Sequence, residues 1–150
     1  MKNACPCFSG ALYSACCRPL HLGRAASNAL ALMRSRYSAY ALGKVTYIIE
    51  TTCKGQPAFE ENISAWRAQI EAFCRSTKFV SLQVHDFSEQ QNTAWVSFTA
   101  GLEQAGQPVS LAERSRFLRR KEKWYYASGA PLVSHGTTAI SASESNGQAV

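Results

Sequence analysis

Apolar residues in the first half of the chain recur at spacings of three and four. In SNALALMRSRYSAYALGK, Leu30, Met33, Tyr37 and Tyr40 or Ala41 share one helical face, with Asn28 placed as an N-cap and Gly43 as a stop. VTYIIETT (45–52) continues as a short helix, although its β-branched residues leave a strand open. After the loop CKGQP, Ile63, Trp66, Ile70 and Phe73 repeat the helical spacing and predict a second long helix over Glu60–Arg75. From Phe79 the period becomes two. Val80, Leu82 and Val84 alternate with Ser81, Gln83 and His85, and Val96, Phe98, Ala100 and Leu102 alternate with Ser97, Thr99 and Gly101. Ala105–Pro108 turns the chain into a third strand, Val109–Leu118, and WYYASG after the turn RRKEK is a fourth. Helices followed by an antiparallel meander predict an α+β fold, with helices packed on one face of a curved, cone-like sheet. The tail SHGTTAISASESNGQAV has no periodicity and is expected to be disordered.

A chain of 150 residues, 46% of them hydrophobic, suffices for one domain with a small appendage. The first residues, MKNACPCFSGALY, have no apolar stretch of the length a secretory signal needs, and no later run approaches a membrane span. The expectation is a soluble, cytoplasmic protein. Its net charge of +6 is unevenly spread: RSRFLRRKEK (114–123) holds Arg114, Arg116, Arg119, Arg120, Lys121 and Lys123 against Glu122 alone. Such a run is either a footprint for a polyanion or a solvated hairpin turn.

The candidate chemistry is concentrated in CPCFSGALYSACC (5–17), where Cys5, Cys7, Cys16 and Cys17 form the pattern C-x-C-x8-C-C. Pairing within either couple would strain a disulfide badly, while cross-pairing is possible but unneeded in a reducing compartment. A redox dithiol normally has the spacing C-x-x-C at a helix start, which is absent here. Four thiolates on one short loop suit a tetrahedral, closed and therefore structural zinc site. A segment this small would draw its folding energy from the metal. Four thiolates around Zn2+ leave about two negative charges, which Lys2, Arg18 and Arg24 would offset.

CPCFSGALYSACC resembles the SEC-C motif, a zinc knuckle also found at the C-terminus of the preprotein translocase ATPase SecA. Cys5, Cys7, Ser9, Gly10, Cys16 and Cys17 match it, whereas Phe8 stands where the motif usually has glycine. If that position needs a positive φ, phenylalanine costs on the order of 1 kcal/mol there. With LMRSRYSAYALG and ERSRFLRRKEKWYY, the resemblance extends over residues 3–131 to the bacterial YchJ family. It implies a SEC-C knuckle (1–24), a domain of nuclear transport factor two-like, or cystatin-like, fold (25–131) and a tail (132–150). Members often carry a second, C-terminal knuckle, and residues 132–150 contain no cysteine. The SEC-C motif of SecA contacts a chaperone, acidic lipid head groups and ribosomes, so the resemblance implies a docking module.

Domains of this fold often enclose a pocket between sheet and helices. The candidates to line one here are Tyr37, Arg36, Glu113 and Ser115. Alternation sends Glu113 and Ser115 to one face of the third strand and Arg114 and Arg116 to the other; an inward Glu113 would pair with Arg34 or Arg36. For catalysis the inventory is thin. His21, His85 and His135 are scattered, Cys53 and Cys74 read as ordinary thiols, and a general acid or base would rest on Glu113 or Asp86. The sequence thus reads first as a non-enzymatic zinc protein docking to a protein partner or the ribosome, with a polyanion contact through the basic run. The second reading is small-molecule binding or catalysis in the cone, which filling by Trp66, Phe98 and Phe117 would oppose. Sheets of this fold can also dimerise through the exposed face, where Trp95, Trp124 and Tyr126 would supply apolar surface.

Overall fold

A computed structural model describes residues 3–132; the predicted disordered tail falls almost wholly outside these. A 3-10 turn at Tyr13–Ala15 and helix α1 (Arg18–His21) complete the cysteine-rich segment. Helices α2 (Ala29–Leu42), α3 (Val45–Glu50) and α4 (Ile63–Ser76) follow, and then strands β1 (Thr77–Gln90), β2 (Thr93–Gln104), β3 (Gln107–Arg120) and β4 (Lys123–Pro131). The strands form one antiparallel sheet in the order β1-β2-β3-β4. The α+β expectation holds.

The caps predicted for α2 are present. Asn28 Oδ1 accepts a hydrogen bond from the Ala31 amide at 2.8 Å, and Gly43 at φ 74 leaves the helix in the left-handed region that glycine adopts without strain. VTYIIE is helical, and its continuation breaks at Thr51 so that Thr52 makes a parallel bridge to Tyr126 of β4. The second long helix begins at Ile63 rather than Glu60, because Asn62 accepts from the Ala65 amide and caps it there. α4 passes into β1 between Ser76 and Thr77 with no intervening loop.

Ala94, Val96, Phe98, Ala100 and Leu102 point inward from β2 and, with Phe117, Trp124 and Tyr126, meet Met33, Tyr37 and Tyr40 of α2, Ile48 of α3, and Trp66 and Ile70 of α4. The alternation predicted for β1 breaks twice. Register shifts lie between Phe79 and Ser81 and between Val84 and Asp86, so Phe79, Leu82, Val84 and Phe87 are partly buried against the core while Val80 is exposed. A third shift, between Arg116 and Phe117 opposite Ala127, sets the side to which β4 turns its aromatics. Trp124 and Tyr126 are buried inside, correcting their expected place on an exposed face; Trp95 does lie outside.

Two of the hairpin turns have both central residues at positive φ, the geometry that matches strand twist. Ala105 and Gly106 stand at 53° and 77°, and Lys121 and Glu122 at 52° and 67°. The basic run is therefore a hairpin, with two non-glycine residues at its tip. A left-handed non-glycine residue costs about 1–2 kcal/mol. Glu122→Gly is expected to raise stability by about 1 kcal/mol after the entropy glycine adds to the unfolded chain, read from the denaturation midpoint. An unchanged or lower midpoint would show that the turn carries no such strain.

Candidate metal centre

The knuckle is built by local backbone pairing. Ala4 and Leu12 form an antiparallel bridge, the Cys5 amide donates to Ala11 O at 2.9 Å, and the Tyr13 amide donates to Asn3 O at 2.7 Å. The turn between them passes through Phe8 at φ 62 and Gly10 at φ 92. The positive φ at the motif's usual glycine is thus kept, and Phe8 sustains it while its ring meets the edge of Tyr37 at 6.1 Å. Ser9 fixes the return: its hydroxyl accepts from the Ala11 amide at 3.1 Å and lies 3.2 Å from Cys16 Sγ.

These bonds bring the four sulfur atoms within 4.8 Å of one another. Cys7 and Cys16 are 3.6 Å apart and Cys16 and Cys17 are 3.9 Å apart. A tetrahedral metal with sulfur at about 2.3 Å requires sulfur–sulfur separations of roughly 3.8 Å, so the cluster fits one metal ion. Cys5, Cys7 and Cys17 are buried and Cys16 is half-buried, and four sulfur donors would fill a tetrahedral shell with no position left for a substrate. The proton distribution suits a cation as well. Hydrogen bonding from Cys17 pulls the Cys7 thiol down to about 4 against its burial, while the same bond and burial push Cys17 well up, and burial raises Cys16. One thiolate forms readily; further ones need positive charge beside them.

Helix α2 supplies what surrounds the cluster. Ser38 Oγ is 3.5 Å from Cys5 Sγ, and Arg34 Nη1 donates to Cys7 O at 2.9 Å. The cation touching the loop thus comes from α2, whereas Arg18 and Arg24 are exposed and Lys2 lies outside the described residues. His21 holds the far end of the segment. Its Nε2 donates to Ser35 O at 2.8 Å, since a carbonyl only accepts, and its Nδ1 accepts from the Tyr13 hydroxyl at 2.7 Å. Burial lowers its pKa, so the ring stays neutral as a bracket between knuckle and helix. The place of Ser38, Arg34 and His21 beside the cysteine segment escaped sequence reasoning, because nothing local marks them as its neighbours.

Three of the four pocket candidates, Arg36, Glu113 and Ser115, gather around Tyr126, and Tyr37 stands apart from them. Tyr37 donates to Ser81 O at 2.9 Å on β1. Glu113 lies toward β4, accepting from Ser115 at 2.5 Å and Tyr126 at 2.8 Å. Arg36 donates through Nη1 to Ile48 O at 3.0 Å, Thr51 Oγ1 at 2.8 Å and Thr52 Oγ1 at 3.1 Å, while its guanidinium rests 4.5 Å from the centre of the Tyr126 ring. The expected pairing of Glu113 with Arg34 or Arg36 is corrected. Arg34 reaches the knuckle and Tyr126 stands between Arg36 and Glu113, so among the described residues the sole ion pair is Lys78–Glu103 at 3.7 Å. Burial raises the pKa of Glu113, opposed by the bonds from Ser115 and Tyr126 and by the charge of Arg36. Trp66, Phe98 and Phe117 are all buried in the core between the layers. His85 is the extra residue at the second β1 bulge, where its Nε2 contacts Thr99 Oγ1 at 2.7 Å on the surface. Cys53 is buried, and burial pushes the Cys74 thiol up to about 11.

The basic residues also separate. Arg114 and Arg116 leave by the outer face as predicted, Arg119 joins the β1–β2 turn through Asn92 Oδ1 (3.3 Å) and Gln91 O (2.9 Å), and Lys121 sits at the hairpin tip.

Two outcomes follow from this geometry. Metal binding must displace the protons that Cys16 and Cys17 hold tightly, so affinity should weaken by about tenfold or more per pH unit as pH falls; a competitive chelator titration measures this, and a flat profile would count against a thiolate site. A Cβ on Gly129 would overlap the Glu113 carboxylate and the Tyr126 hydroxyl. Gly129→Ala should therefore destabilise by about 1–3 kcal/mol, and a denaturation midpoint at the wild-type value would refute the network's rigidity.

Known proteins share this arrangement. The family described as YchJ, middle NTF2-like domain, matches residues 28–129. A SEC-C motif containing protein from Rhodopseudomonas palustris, known in solution, is 35% identical, with a TM-score of 0.75 over 86% of this chain and 98% of that one. A SEC-C motif containing protein from Psychrobacter arcticus is 29% identical, with a TM-score of 0.68 over 89% of this chain and 84% of that one. An NTF-2 like protein of unknown function from Shewanella oneidensis, 10% identical with a TM-score of 0.52 over 67% of this chain and 93% of that one, shares the fold alone. With its NTF2-like segment matched and its four cysteines gathered ahead of it, the chain belongs to the YchJ family.

Proposed function

We propose that the protein is a non-enzymatic zinc protein of the cytoplasm whose knuckle docks to a protein partner at the ribosome or the secretion machinery. The donor set supports zinc: four cysteine sulfurs at tetrahedral spacing, closed to substrate, suit a metal that needs no redox change and no open position. The observation that carries docking is where apolar surface faces water. Of the six exposed large hydrophobic residues among the described residues, Leu42, Ile63 and Val80 are scattered over α2, α4 and β1. Phe8, Leu12 and Leu22, at 48%, 54% and 69% exposure, fall together in the short knuckle segment, which has little core of its own to bury them. The metal would hold the loop that displays them, and a partner would cover them.

Co-sedimentation with ribosomes at low and moderate salt tests this reading. Binding is expected with zinc present, reduced by Leu12→Ser with Leu22→Ser and abolished by Cys5→Ser with Cys7→Ser. Sedimentation that ignores both pairs of substitutions, or fails at every salt concentration with zinc bound, would remove the ribosome as the partner.

A further inference from the structure

The helices cover the inner face of the sheet and leave the outer face without a layer. Strand pairing fixes what that face carries. Trp95 of β2 stands opposite Arg116 of β3, which is paired with Ser128 of β4; beside this row, Leu118 is paired with Tyr125, and Arg120 with Lys123. Arg114 lies with its guanidinium 5.1 Å from the centre of the Trp95 ring. Arg116 is held by neutral groups, donating to Gln56 Oε1 at 2.9 Å and Ser128 Oγ at 3.3 Å. None of these cations has a carboxylate within ion-pair distance among the described residues; the acid nearest in register is Asp86, opposite Ser97 on the β1 margin.

We infer that this outer face binds single-stranded RNA. Trp95 and Tyr125 are both half-buried, held by the sheet yet open on one side. They stand two strands apart, about 10 Å across the sheet, which spaces two stacking surfaces along one extended strand of nucleotides. Arg114, Arg116, Arg120 and Lys123 surround them with positive charge for the phosphates. An open sheet face has no element to enter a duplex groove, whereas unstacked bases can lie on aromatic rings and on the plane of a stacked arginine. Ser128, half-buried beside Arg116, places a hydroxyl on this face, suited to a ribose 2′-hydroxyl, whereas Ser97 is buried. A second copy of the chain fits less well. A two-fold contact through this face would set its cations against their own images, and the burial of Trp124 and Tyr126 removes the apolar surface a dimer would use. The face uses no knuckle residue, so this binding stands or falls separately from docking by the knuckle.

Fluorescence anisotropy with a labelled short oligouridine, an oligothymidine of the same length and an RNA duplex provides the test. Tightest binding is expected for the single-stranded RNA, with affinity falling as salt rises at a log–log slope of about −3 for four phosphate contacts. Trp95→Ala should weaken binding by about tenfold and Trp95→Phe should largely restore it, which a merely structural role for the side chain would not require. Arg114→Glu with Arg120→Glu should weaken binding further and flatten the salt slope, while circular dichroism stays that of the wild type. Several results would overturn the inference: no binding at low salt, equal binding by these variants, preference for the duplex or for DNA, or a dimer in solution that the same substitutions dissociate.

Discussion

Helix α2 is buried on nearly every side, and it carries polar residues into that burial. Ser35, Arg36 and Ser38 are each almost inaccessible to water. A buried polar group without a partner costs about 1–3 kcal/mol, so each neighbouring element is held where it can satisfy one of them. Ser35 receives α3 through the Tyr47 hydroxyl at 2.7 Å, Arg36 gathers the end of α3 and the bridge to β4, and Ser38 faces the cysteines. Tyr37, between them, fastens β1. An all-apolar helix in the same place could slide or rotate with little penalty. This one has a single register that serves knuckle, helices and sheet together.

The hydrophobic pattern made the order of elements legible. Caps at Asn28 and Gly43, the helical spacing around Trp66 and the period of two in β2 are local signals, and the structure keeps all of them. The pattern was less informative where a neighbour decides. On α2 it marked one apolar stripe, while Leu32, Ser35 and Ala39 off that stripe are buried because the knuckle and α3 close the remaining sides. In β1 and β4 single extra residues reverse the face of everything beyond them, and the sequence carries no sign of where a bulge will fall.

The two charged or reactive clusters differ in the same way. Four cysteines within thirteen residues announce themselves, since the loop that carries them also brings them together. The basic run is equally dense, yet strand alternation divides it. Arg114 and Arg116 leave by the outer face, Arg119 stacks on Trp124 at 5.2 Å and ties two hairpin turns, and Lys121 bends the chain. Proximity in sequence becomes proximity in space on a tight loop but not along a strand. Ser38 and Arg34 show the converse, lying beside the cysteines from a helix that begins twelve residues after the last of them.

Cys5, Cys7 and Cys17 belong to the same buried cluster as Met33 and Tyr37. The knuckle is thus a layer of the molecule as well as an appendage, and the family boundary at residue 28 crosses a continuous interior. A chain that emerges into a metal-poor cell would have a thinner body, with one side of α2 facing water where the loop should lie. Its lifetime would then depend on the supply of metal, because quality-control proteases and chaperones recognise such an uncovered side. Scarcity of the ion would be read out as a fall in the amount of the protein.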